Sequence, residues 1–462
     1  MSKLWAWLLG LAVLVAIAFL VACGTIYNSS TDGLVLVTSQ YSSLVETFSF
    51  SLGSGHVQAN QNPPYDTAYN TCVLNGIPSS IVTDPAGNYA YMILLGNQPG
   101  GPCGATSTPT GILAYKINSN GAVSQVGSLI PLAPLSLQPC IDGSISPSAE
   151  SVAVVPSILV MDTSGKFLYV ADSSTADGSG NGIPGAISVF SIGSGGSLTE
   201  VTGSPFTPPN NCSRPPVNIV TLATTPMVPP PALFGQAQSV CSPPSPFPTS
   251  EYLYAVDSNL IGGVWEFQVN TSTGALGNPP GFSAPVYTTA GSTPMGVTVD
   301  PCSRYVYVAN NISNNVYGYK ICTGTTTNQL GPPCTTNNGQ MFPILNPAGS
   351  TGFTLANGGE GPTQLVVDVY GNYLYVLDSN SNTISPFQIS SVTGSLKALN
   401  PATVATGVRP TTIVIRRDDN WMFVTDFIAG TVSQFAIAPA TGGLSPQLPI
   451  TTDNYPWGVA VK

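Results

Sequence analysis

The hydrophobic residues of this chain occur in short runs that are separated by turn-forming residues. Between residues 360 and 396, apolar runs at 365–367 and 373–377 are followed by a third run around Phe387 and a fourth at Leu396. The runs are rich in β-branched and aromatic side chains and are bounded by Gly, Pro, Asn or Asp, which is typical of antiparallel strands joined by tight turns. Four strands in about 40 residues predict one blade of a β-propeller.

Two spacings show that this unit is repeated. In the third strand, an apolar residue is followed three positions later by an aromatic residue, and two positions after that by another apolar residue. This pattern occurs seven times, and its aromatic members are Phe48, Tyr115, Phe190, Phe267, Tyr319, Phe387 and Phe435. The first strand begins at a proline, again seven times, at Pro78, Pro156, Pro216, Pro294, Pro362, Pro410 and Pro456.

The two series are offset along the chain, and the offset predicts a closed ring. No proline strand precedes Phe48, and no aromatic strand follows Pro456. We therefore predict an all-β fold, a single seven-bladed β-propeller of four-stranded blades over residues 34–462. In this ring the C-terminal strand completes the blade that begins at Leu34. Closure removes the free strand edges through which an open array would pair with other chains.

A carboxylate recurs at the turn between the first and second strands. Asp side chains at such turns commonly accept hydrogen bonds from nearby backbone N–H groups. We predict this turn-forming role for Asp84, Asp162, Asp300 and Asp368.

The first 22 residues have the features of a secretory signal. Lys3 is followed by an apolar run at 4–22 and then by Cys23. The ending Leu-Val-Ala-Cys resembles a bacterial lipoprotein signal, which implies removal of residues 1–22, a lipid on Cys23 and a short tether over residues 23–33. The alternative is an uncleaved transmembrane anchor, because the run at 4–22 is long enough to span a bilayer. The final Ala and Cys favour the lipoprotein interpretation, since an anchor needs neither.

The composition fits a protein that works outside the cytoplasm. Only 7% of the residues are charged, the net charge is −10, and no basic run is present. Nucleic acid and anionic membrane surfaces are therefore poor partners. We expect an exported monomer of the cell envelope that contacts the membrane through the lipid on Cys23. By the resemblance to lipoproteins, Gly24 implies the outer membrane or the cell surface.

Eight cysteines remain after Cys23. An even number in an exported chain indicates disulfides, here as staples for long loops. The sequence has no Cys-x-x-Cys motif and a single His, so we expect no metal site and no cofactor. The disulfide candidates, whose pairing stays open, are Cys72, Cys103, Cys140, Cys212, Cys241, Cys302, Cys322 and Cys334.

The second strands and the outer turns carry motifs of a known family. Second strands with sequences such as Tyr-Val-Ala-Asn resemble the Tyr-Val-Thr-Asn repeat of YVTN-type propellers, and they lie at 169–172, 307–310, 375–378 and 423–426. Thr-Gly-x-Leu turns resemble those of the seven-bladed lactonase family, and they lie at 273–276, 393–396 and 441–444. This family includes propeller-type 6-phosphogluconolactonases. The resemblance extends over nearly the whole mature chain.

The resemblance to the lactonase family implies a site at the mouth of the central channel. Opening a lactone needs a base or a polarised water, and cationic donors for the developing oxyanion. The sites proposed in this family draw on His, Glu and Arg. The single His of this chain, His56, follows the first blade in an irregular stretch, so no His can be matched. The catalytic candidates are Glu360 as base, with Arg409 and Arg214 polarising the carbonyl.

The topology is expected to gather further polar residues at the same face. Tyr455 precedes a first strand, and Asp or Asn residues follow the second strands. One interpretation is a ring that binds a polar ligand or a cation. The other is that the Asp and Asn side chains cap the turns that follow them. The ligand-binding candidates are Tyr455, Asp172, Asp257, Asn310, Asp378 and Asp426.

Three hypotheses for function follow. The first is a cell-envelope binding or interaction module, because loops inserted into a rigid ring often form recognition surfaces for a protein, a glycan or a small molecule. The alternative is a lactonase-type hydrolase, similar to the 6-phosphogluconolactonase propellers, that opens a lactone or a related ester. The third is a purely structural envelope protein. Whether the chain is an enzyme stays open at the level of sequence.

Overall fold

A computed structural model describes residues 32–40, 44–51, 57–59, 76–96, 109–119, 121–136, 151–152, 155–173, 175–176, 182–209, 217–226, 250–323, 337–355, 358–452 and 455–462. The expected signal segment and Cys23 lie outside these ranges, so the lipoprotein prediction stays a prediction. Within these ranges we find no helix with the length and hydropathy of a membrane-spanning segment.

The described chain is built from β-strands. The first twelve are β1 (Asp32–Ser39), β2 (Leu44–Ser51), β3 (Val57–Ala59), β4 (Gly76–Thr83), β5 (Tyr89–Gly96), β6 (Gly111–Ile117), β7 (Val123–Pro131), β8 (Leu135–Ser136), β9 (Ser151–Val152), β10 (Val155–Met161), β11 (Phe167–Ser173) and β12 (Thr175–Ala176). The next twelve are β13 (Gly182–Ile183), β14 (Ala186–Ile192), β15 (Leu198–Glu200), β16 (Ile219–Thr224), β17 (Glu251–Asp257), β18 (Gly263–Val269), β19 (Leu276–Gly277), β20 (Val286–Thr289), β21 (Pro294–Val299), β22 (Tyr305–Asn310), β23 (Asn315–Thr323) and β24 (Asn337–Pro343). The last twelve are β25 (Gly352–Thr354), β26 (Pro362–Val367), β27 (Tyr373–Asp378), β28 (Thr383–Ile389), β29 (Leu396–Ala398), β30 (Val404–Ala405), β31 (Pro410–Ile415), β32 (Trp421–Asp426), β33 (Thr431–Ala438), β34 (Gly443–Pro446), β35 (Ile450–Thr451) and β36 (Pro456–Val461).

Seven antiparallel sheets form the blades of a ring, which confirms the predicted seven-bladed propeller. From the channel outward, blade 1 consists of β36, β1, β2 and β3, and blade 2 of β4 to β7. Blade 3 consists of β10, β11, β14 and β15, and blade 4 of β16 to β19. Blades 5, 6 and 7 consist of β21 to β24, β26 to β29 and β31 to β34. The pairs β8–β9 and β12–β13 are small separate hairpins.

The outer edge of blades 4 to 7 differs from the simple four-stranded unit. In each of these blades two short strands share the edge and pair with opposite halves of the third strand. In blade 7, for example, β34 pairs with the second half of β33, whereas β35 pairs with Thr431 and Val432 at its start. The third strand is therefore covered along its length, although neither outer strand alone is long enough to cover it.

The ring is closed as the offset between the two series predicts. In blade 1, β36 pairs with β1 in antiparallel register, with Val459 opposite Val37 and Val461 opposite Val35. The pairing continues beyond the strand, because the Lys462 N–H donates to the Leu34 carbonyl at 2.8 Å. The C-terminal strand is thus the inner strand of the blade that contains the first described strand.

Neighbouring blades are held together by apolar side chains and by hydroxyl groups. The described residues of the apolar core form seven clusters that lie between sheets, and one of them joins Val37 of blade 1 to Phe423 of blade 7. Near the channel, hydroxyl groups also donate to carbonyls of the next blade. Ser157 donates to the Val220 carbonyl at 2.9 Å. These side-chain bonds matter because the inner strands of adjacent blades share no backbone ladder.

The turns between first and second strands confirm the predicted role of their Asp residues. The carboxylate of each accepts backbone N–H groups four and five residues later, at Asp84, Asp162, Asp300 and Asp368. Of the eight cysteines, Cys302 and Cys322 are described and both are buried. The other six lie outside the described ranges, so the pairing of the set stays a prediction.

Candidate active site at the channel mouth

The inner strands of all seven blades line a central channel. Its narrow part has a volume of about 210 Å³. At the end where the inner strands begin, the channel widens into a cavity of about 800 Å³, here termed the mouth cavity. Six blades contribute to its described lining, which includes Ser157, Thr363, Gln364, Ser379, Asn380, Arg409 and Trp457.

Arg409 brings a positive charge to the mouth cavity. It precedes Pro410, the first residue of β31, and its guanidinium lies over the ring of Phe427, 5.4 Å from the centroid. In the part of the chain that the structure describes, no carboxylate forms an ion pair with this guanidinium. Its charge is therefore available to a ligand in the cavity.

The backbone at Arg409 is held in an unusual conformation. Its φ is 55°, which lies in the left-handed region that residues other than glycine rarely adopt. The Arg409 N–H donates to Asn382 Oδ1 of blade 6 at 2.6 Å, and its carbonyl accepts from the Phe427 N–H at 3.0 Å. Three further residues that directly precede an inner-strand proline also have positive φ, namely Thr293, Gly361 and Tyr455. The backbone therefore has this conformation directly before four consecutive inner strands.

Three aromatic rings form a cluster beside Arg409. Phe427 packs against Tyr455, with ring centroids 4.9 Å apart, and against Trp457 at 5.5 Å in an edge-to-face arrangement. Trp457 lines both the mouth cavity and the narrow channel, whereas Tyr455 is 41% exposed at the rim. Small-ligand sites commonly combine aromatic surface with a few polar groups that fix orientation.

Hydroxyl and amide groups supply the remaining polarity of the cavity. Ser379 Oγ donates to the Pro410 carbonyl at 2.7 Å and lies 2.7 Å from Thr363 Oγ1. Gln364, which also lines the cavity, accepts a hydrogen bond at Oε1 from the Ile413 N–H at 3.3 Å. The described lining contains Arg409 as its charged residue and is otherwise neutral.

The other catalytic candidates are not gathered into this lining. Glu360 is exposed on the same face, where its backbone carbonyl accepts from the Asn380 N–H at 3.2 Å, but its side chain is not part of the described cavity wall. Arg214 lies outside the described residues, as does His56. The structure therefore brings Arg409 and Trp457 together at the cavity and Glu360 and Tyr455 to its surroundings.

The Asp and Asn residues at the ends of the second strands are buried. Asp172, Asn310, Asp378 and Asp426 are fully buried. Asp378 Oδ2 accepts from Ser385 Oγ at 2.6 Å, and Asp426 Oδ2 accepts from Ser433 Oγ at 2.7 Å. Asp257 accepts from the Asn218 N–H at 2.9 Å. None of these residues belongs to the described wall of the mouth cavity.

Burial changes the acidity of this series. Desolvation raises the pKa of Asp378 to about 7, against the hydrogen bonds from Ser385 and Thr383 that stabilise the charged form. Desolvation also raises the pKa of Asp172 to about 7, against the hydrogen bond from Ser188. Within the described ranges, no group of three or more His, Cys, Asp or Glu side chains is placed to hold a metal ion.

Sequence reasoning did not identify Trp457, Phe427 or Ser379. Trp457 is the residue after Pro456, so its position at the start of an inner strand was a signal that could have found it. Ser379 and Phe427 occupy the equivalent place after the second strands of blades 6 and 7. The residue type at this position differs between blades, so the sequence gives no sign of its role. Its contribution to the mouth is apparent only in the assembled ring.

Comparison with known proteins agrees with the architecture. Residues 335–452 match the family model described as "Lactonase, 7-bladed beta-propeller". A comparison with curated proteins finds no match.

Solved structures with the same fold cover almost the whole chain. A proposed 6-phosphogluconolactonase from Bacteroides fragilis NCTC 9343 has a TM-score of 0.60 at 14% identity, over 94% of this chain and 99% of the other. The periplasmic gluconolactonase PpgL of Pseudomonas aeruginosa has a TM-score of 0.59 at 16% identity, over 93% of this chain and 98% of the other. A protein from Lactobacillus plantarum has a TM-score of 0.60 at 14% identity, over 94% and 99%. The chain is thus a seven-bladed β-propeller whose residues 335–452 match the lactonase family model and whose described ring is similar in fold to these solved structures.

Proposed function

We propose that this protein is a lactonase-type hydrolase that opens a lactone or a related ester in the mouth cavity. The observation that carries the proposal is the Arg409 guanidinium, which lines the cavity without an ion-pair partner among the described residues. The match of residues 335–452 to the lactonase family supports the same activity, because this segment includes both Arg409 and Glu360.

The reaction requires one cationic donor and one proton acceptor. The oxygen of water bonds to the acyl carbon, the bond from that carbon to the ring oxygen breaks, and the ring oxygen leaves as a hydroxyl group. Arg409 donates to the carbonyl oxygen, where negative charge develops in the transition state. Glu360 takes a proton from the attacking water, and a proton is returned to the leaving oxygen. Trp457 supplies an apolar surface for the ring.

Hydrolysis of glucono-δ-lactone, followed by proton release, tests this proposal. We expect Arg409→Gln to lower kcat/KM by about 100-fold, the effect of losing one oxyanion donor. We expect Glu360→Gln to lower kcat by at least about 100-fold, as for loss of a general base. Lys397→Gln is the control, because Lys397 is an exposed cation on β29, away from the mouth.

Two results would contradict the proposal. One is hydrolysis by the wild-type protein no faster than the uncatalysed reaction for a panel of sugar and simple lactones. The other is an unchanged rate in both the Arg409 and Glu360 variants.

A binding module without turnover is the second candidate function. The described wall of the mouth cavity holds a cation, hydroxyls and an aromatic ring, but no carboxylate or His. Such a wall is suited to binding a polar ligand, and it supplies no base of its own. Quenching of Trp457 fluorescence by a lactone that is not hydrolysed would favour this function.

We also propose export and a lipid anchor. The support is the sequence that ends at Cys23, which resembles a lipoprotein signal. Labelling of growing cells with a radioactive fatty acid should mark the wild-type protein and not Cys23→Ala. Equal labelling of both proteins would contradict the anchor.

A further inference from the structure

Exposed apolar side chains are concentrated on the mouth face of the ring. Eleven large apolar side chains are exposed among the described residues. Eight of them stand at the start of inner strands or in the loops after second strands, which are both at the mouth: Ile77, Val155, Leu260, Ile261, Ile312, Val408, Ile428 and Tyr455. Isolated exposed apolar residues are ordinary, but a group of them around a cavity is typical of a binding surface.

Two of these residues lie directly beside Arg409. Val408 directly precedes Arg409, and its carbonyl accepts from the Ile428 N–H at 3.1 Å. Val408 is 50% exposed and Ile428 is 55% exposed. Tyr455, which packs on Phe427 beside them, extends this apolar surface. We term Val408, Ile428 and Tyr455 the apolar rim.

The described wall of the mouth cavity carries little charge. A phosphate group is commonly held by Arg or Lys side chains. The described wall of the mouth cavity offers one cation, Arg409. A single cation suffices for a carbonyl oxygen, and the surface next to it is apolar rather than basic.

We propose that the ligand of the mouth cavity is a lactone that carries an apolar substituent, with the ring in the cavity and the substituent on the apolar rim. This inference rests on the proposed function and adds the substrate class. The commitment to a ligand substituent, rather than to a protein partner, rests on the continuity of the rim with the cavity through the backbone of Arg409.

A series of δ-lactones with increasing alkyl chains tests the substrate class. Unsubstituted, methyl, propyl and pentyl δ-lactones share one reactive ring and differ only in apolar length. We expect kcat/KM to rise about fourfold for each methylene that the rim removes from water. The dissociation constants of the matching lactams, which are not hydrolysed, should fall by the same factor when measured by calorimetry.

Substitutions in the apolar rim test whether its side chains cause the rise of kcat/KM with alkyl length. In Val408→Ser and Ile428→Ser the gain per methylene should be less than about twofold, because the apolar contact is reduced. Val392→Ser is the matched control, since Val392 is 73% exposed in the turn before β29, on the opposite face. It should retain the wild-type gain.

Failure of the inference and failure of the proposed function give different results. Hydrolysis without any dependence on alkyl length would overturn the apolar contact alone. Lactam binding that depends on alkyl length, with no hydrolysis of any lactone, would contradict the hydrolase and support the contact. Equal trends in the rim variants and in Val392→Ser would overturn the inference. A rim variant that changes the sedimentation coefficient would also overturn it, because a second copy of the chain would then cover the rim.

Discussion

At the scale of single residues, Arg409 combines a cavity-lining side chain with a backbone conformation that favours glycine. The same place before the inner-strand proline is occupied by Gly361 in blade 6, with φ 64°. A side chain in the left-handed region costs about 1 kcal/mol relative to glycine. Such strain persists where the surrounding structure enforces it, as the bond from Arg409 N–H to Asn382 does here.

This strain predicts an unusual order of stabilities. We expect Arg409→Gly to be about 1 kcal/mol more stable than Arg409→Ala, because glycine adopts this positive φ without the steric cost that alanine incurs. At Lys397, in strand β29, the order should be reversed, since glycine in a strand is less favourable than alanine. Urea unfolding of the four variants measures both differences. Equal stabilities of Arg409→Gly and Arg409→Ala would contradict this prediction, because the backbone at residue 409 would then carry no strain.

At the scale of elements, the turns of blades 6 and 7 bring two carboxyl groups together. Asp419 of blade 7 stands where blade 6 has Gly371, and its Oδ1 accepts from the Val369 N–H at 3.5 Å. Asp368 and Asp419 are fully buried, and the Oδ2 atom of each has no hydrogen-bond partner among the described residues. In the corresponding turn of blade 5, the negative charge of Asp300 is compensated, because Arg304 forms an ion pair with it at 2.8 Å.

Burial raises the pKa of both acids. Desolvation raises the pKa of Asp368 to about 6. Desolvation, followed by the charge of Asp368, raises the pKa of Asp419 to about 8. The folded protein therefore holds protons that the unfolded chain releases near pH 4. The contribution of this pair to stability is favourable at low pH and is lost as pH rises from about 4 to about 8.

We expect Asp419→Asn to remove most of this decrease in stability with rising pH. The variant should match the wild type near pH 4 and exceed its free energy of unfolding at pH 8 by on the order of 2 kcal/mol. Asp418→Asn is the control, because Asp418 pairs with Arg416 and its loss should not stabilise the protein at pH 8. Unfolding by urea at several pH values measures the effect. A parallel pH dependence in Asp419→Asn and the wild type would contradict it.

The strands and turns were predictable because their signals are local. The seven aromatic third strands, the proline first strands and the turn-forming Asp residues each depend on a few neighbouring side chains. The double outer edge of blades 4 to 7 was not predictable in this way, because strands such as β30 and β35 have two residues each. Their pairing is decided by the length of the third strand that they cover.

The site was predictable in part. The position before an inner-strand proline led to Arg409 and Tyr455, which the structure brings to the mouth. The cavity wall itself depends on which side chains of six separate blades face each other, and no local pattern encodes that arrangement. The pair of Asp368 and Asp419 was missed for the same reason. Blade 7 has Arg416 at the usual turn position, and the carboxyl of Asp419 reaches the neighbouring turn only when both blades are assembled.

At the scale of the whole molecule, ring closure depends on the seven C-terminal residues 456–462. β36 supplies the inner strand of blade 1, and its buried Val459 belongs to the core between blades 1 and 7. Without β36, the inner edge of β1 would be open to pairing with other chains.

Truncation after residue 455 should therefore unfold or oligomerise the protein. We expect a loss on the order of 5 kcal/mol, which is comparable to the whole stability of many domains. A synthetic peptide of residues 456–462, added in excess, should restore the monomer if the missing strand is the cause. Size-exclusion chromatography and thermal unfolding measure both effects. An unchanged melting temperature in the truncated protein would show that closure is not needed.

The hydrogen bond between Lys462 and Leu34 also brings the end of the chain next to its first described strand, so the ring could be formed from a chain that begins at a different blade. Because β36 and β1 are antiparallel neighbours, a hairpin loop of about two to five residues would join the end of the chain to its first described strand. New termini could then be opened at the exposed turn around Gly349. Such a circular permutant would keep every strand pair, since a ring of this kind has no first blade, only a place where the polypeptide happens to be cut.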